Sequence, residues 1–263
     1  RVCRTVQRLF RSPADYAPLM AMLAAETFAD NAAEYCALED RVGTDVLIRS
    51  RLGYTPMHQI MHDFMGLETF AEEWSHRREE VLALYKALVG NRKRQFVVVA
   101  NSPATVITYG GHLNAQEVGE DRFSRYYLPA YNEFADLMHA TGKLVGMHVS
   151  GDARPLSDGL ARSHADYIEG FRPTPELGLL DARKAWPDKA IWVEMPPDVH
   201  QRSLEDRATW IGNVLNKGRG KRFLLEVATN MTPDTFRKSM MAAVAATENS
   251  MKGKPMSELG VPS

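Results

Sequence analysis

Histidine and glutamate residues follow four successive apolar segments of the chain, and these side chains can bind a metal ion or move protons. They are His148, Glu169, Glu194 and Glu226. Charged groups at buried strand ends are costly unless they are paired or bound. Imidazole and carboxylate groups suit zinc or a similar divalent cation acting as a Lewis acid. Without a metal, His148 and Glu169 could form a catalytic acid–base pair. Ion pairing at the rim of a sheet, without chemistry, is the third interpretation.

Weaker candidates lie beside predicted strand ends or in a glycine-containing segment. Tyr109-Gly110-Gly111-His112 is typical of a substrate loop or lid, although a simple turn is equally consistent with it. We expect Tyr109 to be a further catalytic candidate and expect substrate contacts from Asn101, His112, Ser150, Arg154 and Arg172. His58 and His62 are four residues apart and would share a helix face, where packing is the favoured interpretation because no HExxH motif accompanies them.

Short apolar runs that alternate with amphipathic segments predict the elements that position these residues. Residues 1–90 are predicted to be mainly helical, with a possible strand at 45–48, and 91–250 to form the strand–helix body that carries the site; 251–263 form a tail. Strands are predicted at 96–100, 144–147, 166–168, 190–193 and 223–225. Helices are predicted near 121–141, 153–163, 176–185, 203–216 and 233–248, with a kink at Pro129.

This alternation predicts an α/β fold with a parallel sheet. A (β/α)8 TIM barrel needs eight strands, so one or more would lie before Arg1 or among the N-terminal segments. An open doubly wound sheet is the alternative, but no GxGxxG fingerprint supports a dinucleotide-binding version of it.

Composition excludes several classes of function. The chain has 263 residues and a net charge of −1, so a general nucleic-acid-binding surface is not expected. It has two cysteines and no CxxC motif, which is consistent with a reducing, cytoplasmic location. No apolar run approaches the ~20 residues that cross a bilayer, so no membrane association is expected.

Three segments taken together resemble the uroporphyrinogen decarboxylase superfamily. They are Arg125-Tyr126-Tyr127-Leu128-Pro129-Ala130-Tyr131, His139-Ala140-Thr141-Gly142-Lys143, and Met147-His148-Val149-Ser150-Gly151-Asp152. The resemblance extends over about residues 15–248 and implies a (β/α)8 barrel. It also implies either porphyrinogen decarboxylation or methyl transfer to or from a corrinoid protein.

The sequence departs from both activities. It lacks the arginine-rich N-terminal segment and the late histidine of the decarboxylases, since its last histidine is His200. Ser150 stands where the thiol-activating methyltransferases have a cysteine, and no cysteine follows Cys36. A set of nitrogen and oxygen groups suits activation of an ether better than activation of a thiol.

We therefore expect a corrinoid-linked methyltransferase acting on a small methoxylated or methylated substrate, with the corrinoid on a partner protein. His148 and Glu169 would bind the metal or protonate the leaving oxygen, and Glu194 and Glu226 would be further ligands. A decarboxylase with cationic groups at its mouth is the second hypothesis, with Arg122, Arg125, Arg154 and Arg172 as candidates. A non-catalytic barrel homologue is the third. A homodimer is compatible with all three.

Overall fold

Six parallel strands form the centre of the structure. A computed structural model describes residues 7–218, 222–227 and 231–251. The strands are β1 (Arg49–Leu52), β2 (Val106–Asn114), β3 (Leu144–Ser150), β4 (Tyr167–Phe171), β5 (Ala190–Glu194) and β6 (Phe223–Glu226). They pair in sequence order, so each helical connection returns the chain to the neighbouring position in the sheet. The predicted α/β fold with a parallel sheet is confirmed.

The described part of the chain has six of the eight strands that a (β/α)8 barrel needs. There, β1 and β6 are the two edges of a six-stranded sheet and do not pair with each other. This arrangement is consistent with a barrel-like fold, but closure of the sheet is not observed.

Twelve α-helices are described around the sheet. They are α1 (Tyr16–Ala25), α2 (Ala32–Val42), α3 (Pro56–Gln59), α4 (Leu67–His76), α5 (Arg78–Ala100), α6 (Ala115–Val118), α7 (Glu120–Arg122), α8 (Leu128–His139), α9 (Ser157–Arg162), α10 (Leu179–Ala185), α11 (Leu204–Gly218) and α12 (Pro233–Met251). Short 3₁₀ helices span Pro13–Asp15, Arg154–Leu156 and Val199–Gln201, and π-helical segments span Ile60–Met65 and Phe123–Tyr127. No helix of the described ranges is both long and apolar enough to cross a membrane.

Proline shapes the predicted long helix at 121–141. The chain runs through α7, then the π-helical segment Phe123–Tyr127, and then α8, with Pro129 in the first turn of α8. Because proline lacks an N–H group, it is tolerated at the start of a helix and disrupts the hydrogen bonding of a preceding turn. The π-helical segment lies directly before this position, and its Phe123 and Tyr127 are fully buried.

Two predicted segments are wrong, residues 96–100 and the glycine segment at 109–112. Residues 96–100 are the last turns of α5 rather than a strand. Val97 of this run is 56% exposed, as expected for the solvent-facing side of a helix and not for a strand buried on both faces. The glycine turn or lid at 109–112 lies inside β2, whose pairing with β3 shifts in register between Tyr109 and Leu113. Such an irregularity accommodates glycine within a strand.

The boundaries of other predicted strands differ less from the observed ones. The predicted strand at 45–48 is replaced by β1, which begins at Arg49, and His148 and Glu169 lie within β3 and β4 rather than after them. The predicted tail lies outside the described residues after Met251.

The larger of the two hydrophobic cores in the described residues covers the outer face of the sheet. Ile107, Val145, Ile168 and Ile191 from neighbouring strands are 1% exposed or less and pack against the helices. Because strand side chains alternate between faces, the residues between these positions point to the opposite face. The candidate polar groups of the strands lie on that opposite face.

Candidate active site

Polar and aromatic side chains of six neighbouring strands occupy one face of the sheet, which we call the polar face. Contacts and the two-residue alternation of strands assign nine residues to it: Arg49, Arg51, Thr108, His148, Tyr167, Glu169, Trp192, Glu194 and Glu226. The parallel order of the strands places residues distant in sequence side by side. The polar face is therefore the candidate active site.

Glu169 is the centre of the hydrogen-bond network on this face. Its side chain is fully buried, and each carboxylate oxygen has two partners. Oε1 accepts from Arg51 Nη2 at 3.1 Å and lies 2.9 Å from His148 Nδ1. Oε2 accepts from Thr108 Oγ1 at 2.8 Å and from Arg49 Nη1. A buried carboxylate with four partners is held in one orientation.

These partners keep Glu169 ionised. Burial alone favours the neutral acid, but the hydrogen bond from His148, the charge and hydrogen bond of Arg49, and the hydrogen bond from Thr108 outweigh it. Together they lower the pKa of Glu169 to about 2. An ionised carboxylate only accepts hydrogen bonds, so His148 Nδ1 carries the proton in this pair. His148 Nε2 is then the ring nitrogen available for chemistry.

Glycine at position 170 makes room for the His148 ring. Gly170 has φ +72°, in the left-handed region, and a Cβ there would lie 2.8 Å from His148 Cε1 and 2.6 Å from the Val149 carbonyl oxygen. On another side, the His112 ring meets His148 edge-on with centroids 4.6 Å apart, and His112 Nδ1 lies 3.2 Å from Ser150 Oγ. His148 is thus fixed by Glu169 and bordered by Gly170 and His112.

Tyr167 and Trp192 form an aromatic surface beside this network. Their rings stack with centroids 4.9 Å apart, and the guanidinium of Arg49 lies over Trp192 at 5.5 Å. The Tyr167 hydroxyl is 2.9 Å from Thr108 Oγ1. Since Thr108 donates its proton to Glu169, Tyr167 donates to Thr108, and the chain Tyr167–Thr108–Glu169–His148 links side chains of three neighbouring strands.

Two further glutamates differ sharply in their surroundings. Glu194 accepts two hydrogen bonds from Arg172, at 2.8 and 2.7 Å, in a bidentate ion pair. Glu226 is the Cα partner of Glu194 on β6, and its Oε2 is buried with no hydrogen-bond partner among the described residues. Burial, followed by the charges of Glu169 and Glu194, raises the pKa of Glu226. Glu226 is therefore more readily protonated than Glu169.

The expected metal ligands do not form a metal-binding set. Glu169 has all its partners within the protein, and both oxygens of Glu194 are taken by Arg172. Within the described ranges, no three His, Cys, Asp or Glu side chains are arranged to hold a metal ion. Glu169 and Glu194 are used in hydrogen bonds and ion pairs, whereas Glu226 Oε2 has no hydrogen-bond partner among the described residues. Binding of zinc or another divalent cation therefore stays a prediction.

The other predicted residues divide between the polar face and the rest of the molecule. His112 and Ser150 lie beside His148, and Arg172 holds Glu194. Tyr109 is fully buried on the opposite face of the sheet against Phe96 and Phe134. The remaining predicted residues also lie away from the network: Asn101 ends α5 with its side chain bonded to Val97 O, Arg154 pairs with Asp152, Arg125 pairs with Asp121, and Arg122 lies over Phe70 and Trp74.

Several polar-face residues are absent from the sequence predictions: Arg49, Arg51, Thr108, Tyr167 and Trp192. The signal for the arginines is their i, i+2 spacing in Arg49-Ser50-Arg51-Leu52, which places both on one face of a strand. Tyr167 and Trp192 lie inside predicted strands. Because those strands are predicted to be apolar on both faces, these two residues are not recognised as sharing the face of Glu169 and Glu194. A glycine inside a strand, Gly146, is a third signal, because it indicates close approach of another group. In the structure that group is the Tyr167 ring, which a Cβ at position 146 would overlap.

Comparison with known proteins supports the fold. No family model matches the chain, and no curated protein matches it. A solved structure of a methyltransferase from Methanosarcina mazei is similar, with a TM-score of 0.65 and 15% sequence identity. The alignment covers 82% of this chain and 62% of that one, so this chain spans less than two thirds of its length. At this identity the likeness establishes a shared α/β fold.

Proposed function

We propose that this protein is a methyltransferase that removes a methyl group from the oxygen of a small methoxylated substrate bound on the polar face. The observation that carries the proposal is the His148–Glu169 pair, which leaves His148 Nε2 as the free nitrogen beside a partly open face. The fold shared with a methyltransferase supports the same class of reaction. This is the demethylation expected from the sequence, without the metal.

In the proposed step, the bond between the methyl carbon and the substrate oxygen breaks, and the oxygen keeps the bonding electron pair. His148 Nε2 donates a proton to that oxygen, so the product leaves as a neutral alcohol or phenol. Glu169 balances the positive charge that the ring carries before the transfer. Proton donation to a leaving oxygen lowers the barrier because it neutralises charge that develops in the transition state.

The methyl acceptor in this proposal is a corrinoid held by a partner protein, which supplies the nucleophile. Such an acceptor must approach the substrate from an open side of the polar face. Arg51 is 54% exposed and Leu224 is 39% exposed, so this face is open to solvent near both edge strands. The chain's own contribution is to hold the substrate, orient the oxygen towards His148 and supply the proton.

Arg51 is the group best placed to orient the substrate. It uses Nη2 for Glu169, and no hydrogen bond of its other nitrogens appears among the described residues. With Arg49, it places two positive charges against the single charge of Glu169. The surplus charge favours a substrate that carries a carboxylate or a phenolic oxygen.

Methyl transfer from a series of methoxylated aromatic acids to Co(I) cobalamin tests the proposal. We expect His148→Gln to reduce the transfer rate by at least 100-fold while the protein stays folded. His164→Gln is the matched control, because His164 is an exposed histidine paired with Asp136 away from the polar face. Equal transfer rates in wild type and His148→Gln would show that His148 does not take part in the proposed reaction.

Decarboxylation is a second candidate, favoured by the same surplus of arginine charge at Arg49 and Arg51. A carboxylate held by these arginines would lie close to His148, which could protonate the carbon that loses carbon dioxide. Release of labelled carbon dioxide from a carboxylate substrate, with no corrinoid present, would identify this reaction instead.

A further inference from the structure

A cavity lies on the opposite side of the sheet from the polar face. It has a volume of about 240 Å³ and lies between α5, α8 and strand β2. Its walls are largely apolar and aromatic, with Tyr85, Val89 and Phe96 from α5 and Pro129 and Ala130 from α8. Tyr109 of β2 and Arg92 of α5 also line it. A cavity of this composition suits a small ligand with an apolar body.

Arg92 contributes a buried positive charge to this cavity. It is 8% exposed, and its hydrogen bonds go to neutral acceptors: Tyr54 O at 3.2 Å, Asn91 Oδ1 at 3.1 Å, and Gln59 Oε1. Among the described residues, no carboxylate lies within ion-pair distance of Arg92; Glu133, at the rim of the cavity, pairs with Lys93 instead. Buried arginines are usually paired with an anion.

Tyr109 contributes a buried hydroxyl group. Its side chain is fully buried, and the hydroxyl has no hydrogen-bond partner among the described residues. Burial raises the pKa of Tyr109 above its usual range, and the nearby Arg92 opposes this rise. The hydroxyl is therefore protonated and able to donate. A buried hydroxyl without a partner is costly, so an acceptor supplied from outside the chain would remove a penalty.

We propose that the cavity between α5, α8 and β2 binds a small carboxylate with an apolar, single-ring body. The carboxylate supplies the anion that Arg92 lacks and accepts a hydrogen bond from Tyr109. The ring packs against Phe96, Pro129 and Ala130. This site is separate from the polar face, because successive residues of β2 face opposite ways: Thr108 donates to Glu169, whereas Tyr109 packs against Phe96.

Binding of benzoate, measured by calorimetry and compared with its neutral analogue benzamide, tests the proposal. We expect wild type to bind benzoate and to bind benzamide at least tenfold more weakly, because only benzoate supplies a charge for Arg92. Tyr109→Phe is expected to weaken benzoate binding about tenfold, the loss of one hydrogen bond to a charged group. Ala130→Leu, which fills the cavity, is expected to abolish binding.

Two matched variants distinguish benzoate bound in this cavity from benzoate bound elsewhere on the protein. Tyr131 also has a buried hydroxyl without a described partner, but it does not line the cavity, so Tyr131→Phe is expected to leave benzoate affinity unchanged. Arg125→Gln removes an exposed arginine that pairs with Asp121 outside both sites, and it is also expected to leave benzoate affinity unchanged. Benzoate affinity that falls in Arg51→Gln and not in Tyr109→Phe would overturn the proposal and place the carboxylate on the polar face. Absence of benzoate binding at millimolar concentration would overturn it as well.

Discussion

His148 Nδ1 lies 2.9 Å from Oε1 of the buried carboxylate of Glu169. Because Glu169 is ionised, this hydrogen bond has one direction: Nδ1 donates to the carboxylate, which leaves Nε2 for the proposed proton transfer. The same carboxylate is held by Arg49, Arg51 and Thr108, so the ring of His148 is oriented by residues from β1, β2 and β4. The proposed catalysis and the stability of this site therefore depend on the same ion.

We expect the free energy of unfolding to fall in acid, because Glu169 becomes protonated there. Its pKa is lowered from 4.5 to about 2 in the folded protein, so the stabilisation is fully present above the unfolded value and is lost as pH falls towards 2. A shift of this size corresponds to roughly 3 kcal/mol. Denaturation in urea from pH 7 to pH 2.5 should show this loss in wild type, and Glu169→Gln should lack it. Glu120→Gln, at an exposed position, should keep the wild-type dependence; identical pH profiles for wild type and Glu169→Gln would contradict the assignment.

The sequence predicts the strands and their parallel arrangement better than it predicts which side chains share a face of the sheet. Apolar runs around Ile168 and Ile191 identify strands because one face of each is buried under helices. His148 and Glu169 are recognisable because charged residues are unexpected there. Thr108 escapes recognition because Gly110 and Gly111 have the appearance of a turn. The same appearance makes Tyr109 a catalytic candidate, although it is buried on the opposite face.

Long-range pairing is what the sequence leaves undetermined. Arg49 meets Glu169 across 120 positions of the chain, and nothing in either local segment specifies the partner. The error at 96–100 has a local cause: five apolar residues satisfy a buried strand and the end of a helix equally well, and only the rest of α5 decides between them. The surroundings of Glu169 and Glu194 are undetermined for the same reason, because the β1 arginines and Arg172 that pair with them come from other segments of the chain.

Gly170→Ala should displace His148. Its Cβ would clash with the His148 ring and the Val149 carbonyl, and φ +72° is unfavourable for alanine. We expect a loss of about 2 kcal/mol in unfolding free energy and at least a tenfold loss of activity. Gly151→Ala is the matched control, because Gly151 has φ +69° with no atom within 4 Å of the added Cβ. Gly151→Ala should lose unfolding free energy because of its backbone conformation but keep its activity. Equal loss of activity in both variants would show that Gly170 does not determine the position of His148.

Thr108→Val should break the chain of hydrogen bonds from Tyr167 to Glu169. Valine keeps the shape of threonine but removes the hydroxyl that bonds both Glu169 Oε2 and the Tyr167 hydroxyl. We expect a loss of about 2 kcal/mol in the free energy of unfolding, measured by chemical denaturation at pH 7. Thr108→Ser retains the hydroxyl and should recover most of this loss. If the valine variant is as stable as wild type, the network does not stabilise the fold.

Glu226→Gln and Glu194→Gln should have opposite effects on stability, although the two glutamates are Cα partners on neighbouring strands. Burial raises the pKa of Glu226, so its contribution to stability is present below the unfolded value and is lost as pH rises through the folded value. Because glutamine cannot ionise, Glu226→Gln does not lose this stability as pH rises. It should be as stable as wild type or more stable at pH 8. Glu194→Gln breaks the bidentate pair with Arg172 and should destabilise the protein at the same pH. Denaturation of both variants at pH 5 and pH 8 measures the difference. A Glu226→Gln variant that is less stable than wild type at pH 8 would mean that Glu226 has a partner that stabilises its charge.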